Sequence, residues 1–68
     1  MSEKQAILRV DATYDLTVKA GDAVRRGERL SRDPSPGTAS MAPIAGVVKS
    51  IRFDPEHHEF VIVIAGAQ

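Results

Sequence analysis

Apolar residues along this chain recur in short runs, broken every few positions by Gly, Pro or Asp, and no stretch carries the repeat of a long amphipathic helix. That pattern predicts a small all-β structure. Residues 6–10 read as a first strand. Residues 14–18 read as a second, with Leu16 and Val18 on one face and Tyr14 leading in. Residues 28–32, 39–42 and 47–53 read as further strands, to a total of about seven or eight short ones. The last run, residues 60–64, is apolar throughout and predicts a strand buried on both faces.

The breaks between the runs have their own chemistry. In Lys19-Ala20-Gly21-Asp22, Gly21 tolerates a positive φ and the Asp22 carboxylate can accept a backbone N–H. Residues 24–27 reverse the chain again. Asp33-Pro34-Ser35-Pro36-Gly37-Thr38 is the strongest turn signal in the sequence, and residues 43–46 and 54–58 are further loops. A weak echo relates residues 21–30 to residues 43–51, each a turn followed by a strand. Two such halves packed face to face would form a flattened barrel, a closed sheet that hides its strand edges.

The echo sharpens into two spaced patterns. The first is Gly21-Asp22-x-Val24-x-x-Gly27-x-x-Leu30. The second is Ala42-Pro43-x-x-Gly46-x-Val48-x-x-Ile51. Each is common alone. Together, in this order, they resemble the biotinyl/lipoyl-like superfamily over about residues 16–64. The resemblance implies an all-β barrel-sandwich hybrid, a flattened barrel of two small packed sheets, as a single domain over residues 1–68. Val24, Leu30, Val48 and Ile51 are spaced to fill a thin core between such sheets.

Carrier members of that superfamily attach biotin or lipoate to a lysine on the hairpin between the two patterns. Residues 31–41 of this chain contain no lysine; Lys4, Lys19 and Lys49 all lie elsewhere. Arg32 is no substitute, because a protonated guanidinium is a poor acyl acceptor. Met41, beside Ala42-Pro43, is then a core filler rather than a flank of an attachment site. Among non-carrier members the sequence is similar to the barrel-sandwich domain of the Rnf electron-transport complex C subunit and of the A subunit of sodium-translocating NADH:quinone reductase. Those subunits are much longer and carry further domains. The resemblance implies a non-catalytic scaffold or docking module of a redox-driven membrane complex, without a bound cofactor. Its partners would be other protein subunits or domains of that complex. The alternative is a degenerate carrier-like domain that meets an acyl- or carboxyl-transfer enzyme.

Composition narrows the remaining choices. Nine basic and nine acidic residues cancel, so there is no basic footprint for nucleic acid and no electrostatic attraction to an anionic membrane. With no cysteine, thiol catalysis and cysteine-ligated metals are excluded. Residues 1–10 lack the apolar core of a secretory signal and no run is long enough to span a bilayer. The expectation is therefore cytoplasmic, at most peripheral to a membrane complex.

Three groups invite chemistry. His57 and His58, near Asp54, Glu56 and Glu59, suggest a metal site, but adjacent side chains on a strand point to opposite faces, so a solvated hairpin is the expectation. Arg25, Arg26, Arg29 and Arg32 form a basic stretch interleaved with Asp22, Glu28 and Asp33, a solvated edge or an anion-binding patch. No serine has a histidine at a suggestive spacing, and no enzyme activity is expected. The candidate partner contact is the turn of Asp33, Pro34, Ser35, Pro36 and Gly37, whose prolines limit the entropy lost on binding. The same prolines could serve only to stiffen a hairpin. Residues 19–22, with Arg25 and Arg26 alongside, are the second candidate.

Overall fold

The structure, a computed structural model, describes residues 4–35 and 37–66. The described residues contain no helix and form an all-β domain. Four strands, β1 (Gln5–Asp11), β2 (Ala23–Val24), β3 (Gly46–Asp54) and β4 (Glu59–Gly66), make one antiparallel sheet in the order β1-β4-β3-β2. The first and last strands pair along their whole length, from Gln5 opposite Ala65 to Asp11 opposite Glu59. β4 is interior to the sheet, and its apolar run fits that position: Val61, Ile62 and Ile64 are buried.

Residues 14–18, 28–32 and 39–42, expected as strands, are instead extended pieces joined by two isolated bridges, Leu16 to Ser31 and Arg29 to Met41. Short hydrogen bonds reinforce them. The Thr17 N–H donates to the Leu30 carbonyl at 2.9 Å, and those of Leu30 and Ala42 donate to Ser40 and Glu28 at 2.8 Å each. Turns follow these pieces within a few residues, so a ladder cannot propagate into a continuous strand. For the same reason the described residues form four strands rather than seven or eight. The sheet is curled but not closed, and β1 has no neighbour on its outer side among the described residues.

The spacing Val48-x-x-Ile51 is resolved by a bulge. Side chains alternate along a strand, so residues three apart point to opposite faces unless one residue is extra. Val48 lies opposite Ile64 and Ser50 opposite Val63, leaving Lys49 as the extra residue. Register then resumes with Ile51 opposite Ile62, so Val48 and Ile51 share the inner face. There Val10, Val24, Leu30, Ala42, Val48, Ile62 and Ile64 form the core, with Leu8, Leu16, Ile44, Ile51 and Phe60 among the residues packed against it. Leu30, wholly buried, comes from the bridged segments and closes the core from the side away from the sheet's outer face.

Candidate functional site: the turn after Leu30

The segments around Arg29 and Met41 form a narrow hairpin, and Asp33, Pro34, Ser35 and Gly37 are at its tip. Pro34, Ser35 and Gly37 are exposed and Asp33 is half-buried; Pro36 lies outside the described residues. Gly37 takes φ +108°, a left-handed conformation that explains a glycine after the prolines. The tip is pinned from below. The Asp33 N–H donates to Ser31 Oγ at 3.1 Å, the Ser35 N–H donates to Asp33 Oδ1 at 2.8 Å, and Arg29 Nη1 donates to the Asp33 carbonyl at 3.0 Å. Ser31 is wholly buried, so its hydroxyl anchors the tip to the core. Arg29 and Ser31 are thus the supports of the turn. In the sequence only the short Ser-x-Asp spacing hinted at this, as a local side-chain-to-backbone motif.

The two spaced patterns meet. The Gly21 N–H donates to the Val48 carbonyl and the Val48 N–H to the Asp22 carbonyl, both at 2.8 Å. Ala23 and Val24 pair with Val47 and Gly46. Gly21 and Gly27 have φ of +96° and +84°, each at the third position of a tight turn, as a type II turn requires. In both turns the following acid reaches back. Asp22 Oδ2 accepts the Lys19 N–H and Glu28 Oε1 accepts the Arg25 N–H, each at 2.9 Å. Gly46 is needed for another reason: a Cβ there would fall on the Ala65 carbonyl. Pro43 lies on the exposed bend leading into β3. Thus Gly21, Asp22, Val24, Gly27, Leu30, Pro43, Gly46, Val48 and Ile51 are framework, gathered on the core and its turns. Arg25, Arg26, Arg29 and Arg32 are all exposed, and Arg29 alone among them has a side-chain bond within the described residues.

At the far end of the sheet, Asp11, Glu59 and Asp54 lie side by side on three strands. Arg9 Nη1 donates to Asp54 Oδ2 at 2.9 Å and sits 3.5 Å from Glu59 Oε1. His57 Nδ1 is 2.9 Å from the same Asp54 oxygen. A carboxylate only accepts, so Nδ1 carries the proton. The His57 bond first, then that from Arg9, hold the Asp54 carboxyl well below the usual carboxylate range. Asp11 is also lowered, by the Thr13 N–H bonded to it. His58 takes φ +54°, and its ring lies edge-on to Phe53 with centroids 5.8 Å apart. The two imidazoles therefore serve different neighbours. Among the described residues no three His, Asp or Glu side chains are grouped to hold a metal ion.

No described helix is long and apolar enough to cross a membrane. No family model, curated protein or solved structure matches this chain.

Proposed function

We propose that this chain is a barrel-sandwich module of the biotinyl/lipoyl-like type. It works as a non-catalytic docking or scaffold part of a redox-driven membrane complex similar to Rnf and sodium-translocating NADH:quinone reductase, and it presents the 33–37 turn to a protein partner. The observation that carries the reading is the hairpin tip. It projects between the two spaced patterns, where carriers of that superfamily display a modified lysine. Here it offers Asp33, Pro34 and Ser35, anchored through Ser31 and Arg29. A tip with no amine cannot accept a cofactor, but a pinned turn loses little conformational entropy on binding.

The test has two arms. Co-expression with a biotin ligase or a lipoyl ligase, read by intact mass, is expected to add nothing; a stoichiometric adduct favours the carrier-like alternative. In the second arm, subunits captured at native abundance are identified by mass spectrometry, with the wild-type chain and with Pro34-Ser35-Pro36 replaced by Gly-Ser-Gly. Recovery of flavin or iron–sulfur subunits that is lost in the folded variant supports the proposal. Recovery of carboxylase or acyltransferase subunits, or capture unchanged by the variant, refutes it.

A further inference from the structure

Among the described residues β1 is the long unpaired edge of the sheet. At its ends the Gly66 N–H donates to the Lys4 carbonyl and the Ala12 N–H to that of His58. Antiparallel pairing alternates, so Ala6, Leu8 and Val10 direct their backbone groups at β4. Gln5, Ile7, Arg9 and Asp11 direct theirs outward, and none of these meets a backbone partner among the described residues. The other edge, β2, is only two residues long.

Natural edges are guarded by proline, by bulges or by charges. β1 has no proline, glycine or register shift over its seven residues. Its one mid-strand charge, Arg9, is drawn away, over β4, to Asp54 and Glu59. Ile7 is left at the centre of the edge, 66% exposed.

We propose that a second copy of this chain occupies the β1 edge, antiparallel and related by a two-fold axis, so that the two sheets become one. Charge selects the occupant. β1 runs from a basic end, where Lys4 and Arg26 line one shallow cleft, to an acidic end, where Asp11 lies beside Glu59 and Asp54 and the one cation, Arg9, offsets only part of their three charges. An antiparallel copy sets each basic end beside the partner's acidic end. With Leu8 on the axis the full strand is used: Gln5 faces Asp11, and Ile7 faces the methylene stem of Arg9. The outward groups then make about eight new backbone hydrogen bonds. An isologous contact of this kind closes on itself and does not propagate. The proposal does not depend on the role of the 33–37 turn.

Sedimentation equilibrium of the whole chain tests it. The wild type is expected to approach twice its 7.3 kDa mass as concentration rises, and less so at high salt. Ile7→Lys places a charge on the axis-proximal edge. Ile7→Pro removes an outward N–H and leaves the β4 ladder intact, a position where edge proline is tolerated. Each, checked as folded by circular dichroism, is expected to weaken association at least about tenfold. Val47→Lys, on β3 away from the edge, is expected to leave it unchanged. A wild-type chain monomeric at about 1 mM, or a dimer indifferent to both Ile7 variants, overturns the proposal.

Discussion

Gly46 and Gly27 belong to the same sequence patterns but are required for different physical reasons, and substitution separates them. A Cβ on Gly46 would collide with the Ala65 carbonyl oxygen, and would sit 2.8 Å from its carbon and 2.9 Å from Gly66 Cα. All are backbone atoms of the interior strand β4, so no side chain can give way. Reaching ordinary contact requires β3 and β4 to part by more than about 1 Å at their first rungs. Overpacking of this kind costs about 1–3 kcal/mol. Weakening the adjoining pairs, Gly46 to Gly66 and Gly46 to Val24, adds about 1 kcal/mol. Gly46→Ala is thus expected to destabilise by about 2–4 kcal/mol, a large share of the roughly 3–10 kcal/mol available to a domain of this size.

Gly27 has open space around its Cα and φ +84°. Gly27→Ala therefore meets only the left-handed penalty of about 1–2 kcal/mol. Asparagine tolerates that region better than alanine, so Gly27→Asn should be the milder variant, whereas at Gly46 asparagine should be worse than alanine because it is larger. Urea unfolding followed by circular dichroism measures all four variants, with the slope checked for constancy. A Gly46→Ala loss below about 1 kcal/mol, less than overpacking costs, would refute the steric argument. The same rank order of Ala and Asn at both sites would refute the distinction.

Leu30→Ala removes a wholly buried side chain and should cost about 2–5 kcal/mol by urea unfolding, near the limit of folding. Asp54 has a folded-state pKa below its unfolded value, so its contribution is complete above about pH 4 and is lost as pH falls toward the folded pKa. Thermal unfolding against pH should show Asp54→Asn less stable than wild type at neutral pH and less sensitive to acid; an unchanged acid slope would count against the ion cluster. Asp33→Ala should quicken amide hydrogen exchange at Ser35, its bonded N–H, and leave exchange at Ile62 unaltered.

What the sequence disclosed was local. The positive φ of Gly21, the backbone bond to Asp22, the bend at residues 43–46 and the burial of the apolar run in β4 all follow from residue types and their neighbours. The bulge at Lys49 was implicit in the same letters, since two inward residues three apart demand an extra one. Pairing across the chain left no such trace. Arg9 and Asp54 are 45 positions apart, and the apposition of Gly46 with Gly66 depends on a register set by the whole sheet. Ladder length was also hidden, because β-prone residues at 14–18 and 28–32 look alike whether they form a strand or a single bridge.

The balanced charge conceals an unequal use of the two signs. The carboxylates of Asp11, Asp22, Glu28, Asp33 and Asp54 each accept a backbone N–H at a turn or strand end. In a chain without disulfides and with a thin core, these bonds fix the turns that the prolines and glycines only permit. Lys4, Arg25, Arg26 and Arg32 are exposed and hold no such bond within the described residues. The acids are therefore fixed in position by the fold, whereas those four cations remain free to reorient toward a partner. That asymmetry favours partners that bring carboxylates to the Lys4–Arg26 end, and the acidic end of a second copy is one surface that does so.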